Sequence, residues 1–222
     1  TTTLVIKRAN RAFPVIEPIL KQYGVPDDFK YLAVIESGLV NAVSPAGARG
    51  VWQFMEQTAK ERGMEVNGMV DERYHLEKST EAACKYLLEA KKKFGNWTLA
   101  AAAYNAGMAG ISRHMTNQLV EDYYDLHLTE ETSRYVFRIL ALKEIMQNRH
   151  QYGFDFSEQL LYHPIETKKL EIDSSITDLA SFAKFQGINY KVLKLHNQWL
   201  RDKKLENKQK KKYIIEIPVE GY

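Results

Sequence analysis

One acidic residue, Glu36, lies inside the otherwise apolar stretch YLAVIESGLV, residues 31–40. If the chain is helical here, Phe29, Leu32 and Ala33 share one helix face with Glu36. The carboxyl therefore points in the same direction as the apolar side chains. Because burial disfavours the charged form of a carboxyl, this pattern predicts a raised pKa for Glu36. A carboxyl that stays protonated near neutral pH can serve as a general acid.

The position of Glu36 along the predicted helix, residues 27–37, acts in the same direction. Gly38 ends this helix and leaves Glu36 in the last turn, where the negative end of the helix dipole disfavours an anion. The alternative is a structural role, in which Glu36 forms an internal salt bridge or simply reaches solvent. The helix pattern alone favours this alternative by about two to one. Other parts of the sequence must therefore decide the role of Glu36.

A turn of small residues follows in SPAGARGVWQFM, residues 44–55. Gly47 and Gly50 allow a backbone to approach a ligand closely, because glycine has no side chain. Gln53 offers both a donor and an acceptor to sugar hydroxyls or amides. Taken singly, Trp52 is more often a core aromatic residue and Gln53 more often a surface residue.

A second segment of small residues, AAAYNAG, covers residues 101–107. Its alanines allow a helix to pack closely against a neighbour, and Tyr104 and Asn105 come at the end of that helix. Taken singly, Tyr104 is more often a core residue and Asn105 a plain helix cap. Only the combination of these motifs with Glu36 indicates a site.

The positions of proline divide the chain into two parts. Proline is absent between Pro45 and Pro164, in a stretch rich in Ala, Leu, Glu and Lys, which favours a helical domain. Beyond Pro164 the pattern becomes strand, helix, helix, strand. We therefore predict a mainly α protein with a helical domain over residues 1–164 and a small α+β domain over residues 165–222. Helices are predicted at MEQTAKERG, at STEAACKYLLEAKKKFG with Ser79 or Thr80 as its cap, at WTLAAAAYNAG and at TEETSRYVFRILALKEIMQNRHQYG.

Composition and charge exclude several classes of protein. No apolar run is long enough to cross a bilayer, and the first residues lack the apolar core of a signal peptide. The chain starts without Met, so we expect a processed or trimmed chain, which is compatible with a removed export signal. Cys84 is predicted to be a core residue.

Residues 201–212 hold seven basic and two acidic residues. We expect a solvated loop there and no nucleic-acid partner. The six histidines lack metal-ligand spacing, so neither a metal nor another cofactor is predicted.

Four motifs in order, IES, SPAGARGVWQFM, AAAYNAG and ETSRYV, resemble the signatures of family 1 lytic transglycosylases. The segment DERYHLEKSTEAACKYL is similar to the membrane-bound type D branch, and the resemblance covers about residues 10 to 155. It implies a goose-lysozyme-like helical fold in which Glu36 is the sole catalytic carboxyl. The resemblance implies catalytic support from Ser44, near the acid, and Tyr135, hydrogen-bonded to it, and substrate binding by Trp52, Gln53, Tyr104 and Asn105. Many relatives have Met where this chain has Trp52.

The same resemblance implies an activity and a location. The enzyme would cleave the β-1,4 bond between N-acetylmuramic acid and N-acetylglucosamine without water, leaving 1,6-anhydromuramic ends. Peptidoglycan glycan strands would be its partner, in the periplasm or cell envelope, with the protein a monomer. Any membrane anchor would lie in a segment outside this chain. Two alternatives stay open: a hydrolase that needs a water-activating acid, unassigned among Asp27, Asp28 and Glu56, and an inactive peptidoglycan-binding scaffold.

The C-terminal pattern resembles a LysM glycan-binding module. The resemblance rests on DLASFAKFQGINYKVLKLHN, in which Asn197 closes the second helix. The Lys-rich insertion enlarges the last loop relative to such modules. Glycan binding and a purely structural role, packed on the helical domain, are equally supported by this pattern.

Overall fold

A computed structural model describes residues 1–220 of the chain, and nine α-helices and one two-stranded sheet lie within that range. The predicted mainly α class with a small α+β end is confirmed. Short 3-10 turns lie at Asp27–Phe29, Glu72–Tyr74, Tyr123–Asp125 and Glu158–Leu160. The helices and strands are α1 (Thr2–Tyr23), α2 (Lys30–Ser37), α3 (Glu56–Glu61), α4 (Leu76–Phe94), α5 (Trp97–Ala106), α6 (Met108–Gln118), α7 (Glu130–Gln147), β1 (Thr167–Ile172), α8 (Leu179–Phe185), α9 (Tyr190–His196) and β2 (Tyr213–Pro218).

Helices α1 to α7 surround one hydrophobic core, in which α5 is central. It contacts α4, α6 and α7, and residues 99–103 of α5 are all buried. The run of alanines lets the neighbouring helices approach closely, as the sequence predicts. Cys84 on α4 is fully buried in this core, so its predicted place there is confirmed.

The predicted start of α4 is wrong. The helix begins at Leu76, and Ser79 and Thr80 lie inside its first two turns rather than at a cap. Both hydroxyls donate to the carbonyl oxygen of Leu76, at 3.2 Å from Ser79 and 2.7 Å from Thr80. A hydroxyl that bonds back to the preceding turn is compatible with a helix interior. A Ser-Thr pair in the sequence is therefore compatible either with a helix cap or with a helix interior, and the sequence alone did not distinguish these two positions.

The C-terminal unit, residues 167–218, has the predicted order of strand, helix, helix, strand. β1 and β2 pair antiparallel, with Thr167 opposite Pro218 and Ile172 opposite Tyr213. Its hydrophobic core also contains Val70 and Tyr74 from the preceding part of the chain. This core therefore includes residues from both sides of residue 165. The domain boundary predicted at that residue stays a prediction.

Backbone hydrogen bonds also join the C-terminal unit to residues 69–71. The Asp71 amide donates to the Trp199 carbonyl oxygen at 2.9 Å, and the Arg201 amide donates to Met69 at 2.7 Å. Val70 and Leu200 form an antiparallel bridge between these bonds. The C-terminal unit is thus docked through main-chain pairing as well as side-chain packing.

Asn197, which the sequence places at the end of the second helix of this unit, is fully buried as the C-cap of α9. Its amide nitrogen donates to the carbonyl oxygens of Leu193 at 2.9 Å and Glu216 at 2.7 Å. Its oxygen accepts from the Glu216 amide at 2.8 Å. Asn197 therefore fastens α9 to β2.

Candidate active site

The helix that carries Glu36 is built as predicted. A 3-10 turn leads into α2, and Gly38 ends it in the left-handed region at φ 62°. Leu32 and Ala33 are fully buried on the face that Glu36 shares, and Glu36 is half-buried at its edge. Burial raises the pKa of the Glu36 carboxyl above its usual range, as the sequence predicts, and this is the dominant influence. Glu36 is therefore suited to hold a proton.

Tyr135 of α7 is the hydrogen-bond partner of Glu36. Its hydroxyl donates to the Glu36 carboxylate, and its ring is almost completely buried. This bond favours the ionised carboxyl and partly opposes the effect of burial on the pKa of Glu36. The alternative of an internal salt bridge is wrong, because the partner is a neutral phenol. The hydrogen bond expected between Tyr135 and Glu36 is confirmed.

Tyr104 joins α5 to the turn of small residues. Its hydroxyl donates to the Trp52 carbonyl oxygen at 2.7 Å. Burial, and then the negative charge of Glu36, raise the pKa of Tyr104. Tyr104 is therefore within electrostatic range of Glu36. Through its bond to Trp52, Tyr104 also holds the turn of small residues beside the Glu36 carboxyl. Its binding to substrate stays a prediction.

Gln53 lies in the left-handed region at φ 53°. Its side-chain amide donates to the carbonyl oxygens of Ala42 at 3.1 Å and Gly50 at 2.8 Å. Both bonds hold the turn closed and use the nitrogen, so the amide oxygen keeps its acceptor capacity. Gln53 therefore stabilises the loop, and its predicted contact with substrate stays a prediction.

Ser44 caps the same turn. Its hydroxyl oxygen accepts from the Ala48 amide at 3.0 Å, and its own amide donates to the Ala48 carbonyl oxygen at 2.9 Å. These contacts give Ser44 a local structural role. Its predicted support of catalysis stays a prediction.

Trp52 has a structural role, and its predicted contact with substrate stays a prediction. The Trp52 side chain is fully buried, and its indole nitrogen donates to the Thr80 hydroxyl on α4 at 2.8 Å. A ring in this position packs edge-on against Tyr104. Trp52 anchors the turn to the core, which explains why a large aromatic residue follows small ones.

Ser37 is a site residue that the sequence reasoning did not single out. Its hydroxyl donates to the Val51 carbonyl oxygen at 2.8 Å and accepts from the Leu39 amide at 3.1 Å. The residue next to Glu36 is thus bonded directly to the turn. Its position in the quoted IES motif is the signal that could have found it.

Asn105 and Glu131 form a second group beside the carboxyl. The Asn105 amide nitrogen donates to Glu131 at 3.0 Å, and its oxygen accepts from the Thr132 hydroxyl at 2.8 Å. The charge of Glu131 raises the pKa of Glu36 further, whereas Arg138 lowers it. The sequence reasoning missed Glu131, although the quoted ETSRYV motif begins at this residue. The substrate contact of Asn105 stays a prediction.

A buried ion pair supports the turn from behind. Asp71 and Arg73 form a salt bridge of 2.8 Å, and both side chains are buried. The Arg73 guanidinium also donates to the Phe54 carbonyl oxygen at 3.3 Å. A β-carbon on Gly50 would lie 1.9 Å from the Arg73 carbonyl oxygen, so only glycine fits there. The close neighbour of Gly50 is thus the protein's own backbone, and the predicted approach of a ligand to Gly47 and Gly50 stays a prediction.

The three carboxyls considered for water activation are already paired with lysines. Lys30 binds Asp27 at 2.5 Å, Lys143 binds Asp28 at 2.9 Å and Lys60 binds Glu56 at 2.6 Å. Within residues 1–220, no group of three His, Cys, Asp or Glu side chains is arranged to hold a metal ion.

A helical core with one shielded carboxyl at a helix end defines a lysozyme-like helical domain. The chain belongs to the family described as "Transglycosylase SLT domain", whose sequence model matches residues 14–125. A second family model, "Soluble lytic transglycosylase C-terminal LysM-like domain", matches residues 168–221. The resemblances found in the sequence motifs are thus confirmed for both parts of the chain.

Two curated relatives carry the name "Membrane-bound lytic murein transglycosylase D", one from Escherichia coli strain K12 and one from Escherichia coli O6:H1. Each is 30% identical to this chain over 184 residues, which are 80% of the chain and 40% of the relative. The chain therefore spans less than half the length of these relatives.

No helix within residues 1–220 combines the length and the apolar character needed to span a membrane.

Proposed function

We propose that this protein is a peptidoglycan lytic transglycosylase. It cleaves the β-1,4 bond between N-acetylmuramic acid and N-acetylglucosamine and leaves a 1,6-anhydromuramic end. The observation that carries the proposal is the state of Glu36: a half-buried carboxyl with a raised pKa, held by the Tyr135 hydroxyl. Membership of the SLT family and the names of the curated relatives support it.

In the first step, Glu36 donates its proton to the bridging oxygen, and the bond between this oxygen and C1 of N-acetylmuramic acid breaks. The acetamido oxygen of the same sugar stabilises the positive charge that develops at C1. Substrate assistance of this kind replaces the second carboxyl that most glycosidases need. The Tyr135 hydroxyl stabilises the carboxylate that Glu36 has become.

In the second step, the Glu36 carboxylate takes the proton from the C6 hydroxyl of N-acetylmuramic acid. The C6 oxygen attacks C1 and displaces the acetamido oxygen, which closes the anhydro ring. Glu36 regains its proton, and no water is consumed. A group that acts first as an acid and then as a base works best with a pKa near the working pH.

The test is mass spectrometry of the soluble products released from purified sacculi by the wild-type protein and by Glu36→Gln. We expect products lighter by one water than the hydrolysed equivalents, and none from the variant. Glutamine keeps the size of the side chain and can still accept from Tyr135. Reducing ends that contain the added water would contradict the proposal.

Hydrolysis is the second candidate, because Glu131 places a second carboxylate within electrostatic reach of Glu36. This carboxylate is exposed and holds Asn105, so it could activate a water molecule. The variant Glu131→Gln separates the two reactions. A transglycosylase keeps forming anhydro products in this variant, whereas a hydrolase loses its activity.

The same proposal places the protein in the cell envelope, where its substrate lies, as a monomer that needs no metal or other cofactor. The name of the curated relatives includes membrane attachment, which we extend to this protein as part of the proposal. For the C-terminal unit we propose a supporting role, since its main chain pairs with residues 69–71 and Asn197 is occupied within the unit. Sedimentation analysis of the purified chain tests the monomer.

A further inference from the structure

A cavity of about 830 Å³ lies between the helical part and the C-terminal unit. Its walls come from α1, from residues 39–41 after α2, from the linker near residue 164 and from α9. Ligand sites occur preferentially at such junctions and have this range of volume. Neither the motifs nor the mechanism assigns it a role.

Two arginines of α1, Arg8 and Arg11, lie one helical turn apart in the wall of this cavity. One nitrogen of Arg8 donates to the Gly38 carbonyl oxygen at 3.2 Å. The Arg11 Nε donates to the His163 carbonyl oxygen at 2.9 Å, and its guanidinium lies over the Tyr162 ring. Among the described residues, neither arginine forms a salt bridge with a carboxylate, although each guanidinium has five N–H donors.

Neither arginine of the cavity is paired with an acidic residue of its wall. Glu77 and Glu216 also line the cavity, and both carboxylates are bound by one cation, Lys169, at 3.0 Å and 3.8 Å. The wall also contains His196, whose pKa is lowered by burial and then by the charge of Arg11. The part of the cavity around Arg11 is therefore positive and has capacity for an anion.

The cavity is close to the catalytic carboxyl. Gly38, which binds Arg8, is two residues beyond Glu36, so the Arg8 guanidinium lies within about 13 Å of the Glu36 Cα atom. Val51 also lines the cavity, and its carbonyl oxygen accepts from Ser37. A peptide of three residues spans about 10 Å when extended. The two lengths are comparable, so an extended peptide attached to a sugar at Glu36 is long enough to cover most of the distance to Arg8.

We propose that this cavity binds the carboxylate-bearing stem peptide that N-acetylmuramic acid carries, with Arg8 and Arg11 as its carboxylate ligands. The inference rests on the proposed function, since that function supplies a glycan whose muramic acid is the attachment point of such a peptide. Apolar residues such as Val40 and Leu195 line the same cavity and can contact the peptide side chains. Guanidinium groups suit carboxylates because both are planar and can pair through two hydrogen bonds.

The test is isothermal titration of the full chain with N-acetyl-L-alanyl-D-glutamate, which has two free carboxylates, and with its uncharged diamide. This probe has no glycosidic bond, so its binding is read independently of cleavage. The variants are Arg8→Met and Arg11→Met, which keep most of the side-chain volume. Lys21→Met, which removes an exposed cation near the end of the same helix outside the cavity wall, is the matched control.

We expect saturable binding of the diacid and no binding of the diamide. Each arginine variant should weaken binding at least about tenfold, the effect of losing a charge-assisted hydrogen bond. Lys21→Met should bind as the wild type does. Equal binding of the diamide, unchanged binding in both arginine variants, or no saturation up to about 10 mM would overturn the proposal. Thermal unfolding of each variant confirms that the comparison is made on folded protein.

Discussion

The Tyr135 hydroxyl supports Glu36 in one protonation state only, and Tyr135→Phe isolates that effect. The hydroxyl donates to the carboxylate and has no comparable role when Glu36 is a neutral acid. The ring itself is buried, and phenylalanine fills the same space. The substitution therefore removes one charge-assisted hydrogen bond and leaves the packing of α7 intact.

The expected magnitude follows from that bond. A hydrogen bond to a charged group contributes about 1.5–3 kcal/mol. If the Glu36 proton is largely transferred in the transition state, the loss lowers kcat by about ten- to a hundredfold. The hydrogen bond lowers the pKa of Glu36, so its removal raises that pKa further. Glu36 then stays protonated to higher pH, and the alkaline limb of the pH–rate profile moves upward.

The assay is the rate of release of soluble muropeptides from sacculi, measured across pH for the wild type and Tyr135→Phe. Tyr123→Phe is the matched control, because it removes a buried hydroxyl that donates to backbone of α7 at 2.7 Å and does not bind Glu36. A variant with lower kcat and an alkaline limb at higher pH would support the role of Tyr135. An unchanged limb, a limb at lower pH, or a kcat within about twofold of the wild type would refute it.

Three further outcomes are expected. The folded protein raises the pKa of Glu36, so the ionised Glu36 carboxylate destabilises the fold above that pKa. Glu36→Gln should therefore raise Tm at pH 8, and the difference in Tm between the variant and the wild type should disappear near pH 4. Gly50→Ala should lower the free energy of unfolding in urea by at least about 2 kcal/mol more than Gly63→Ala, because both glycines have positive φ but only Gly50 meets the Arg73 carbonyl oxygen. Burial raises the pKa of Cys84 to about 12, so this thiol should react with a disulfide reagent at pH 8 only after denaturation.

Glu36 shows how far local sequence can carry a prediction. Helix period and a terminating glycine place the carboxyl on an apolar face at a helix end, and the structure confirms this placement. The order of the C-terminal strands and helices also follows from local patterns. These features depend on residues within a few turns of one another, which is the range over which periodicity and capping act.

Trp52 shows what the motif could not specify. The turn of small residues contains both Gln53, which is half-buried, and Trp52, which points into the core and binds Thr80. Which of two adjacent side chains faces solvent depends on the backbone angles of the turn, including the positive φ of Gln53. Asparagine and aspartate adopt that region more readily than glutamine, so composition gave no warning.

The sequence by itself determined the helical class of the protein, the order of its elements and the acidic residue at the end of α2. Local pattern could not identify the groups around that acid, because Tyr135 is 99 residues away. The family resemblance predicted Tyr135, and only the tertiary structure added Glu131 from the same distant helix. The cavity lined by Arg8 and α9 likewise depends on two parts of the chain that are remote in sequence. Local propensity cannot specify such contacts, since they form only when separate elements pack and exclude water.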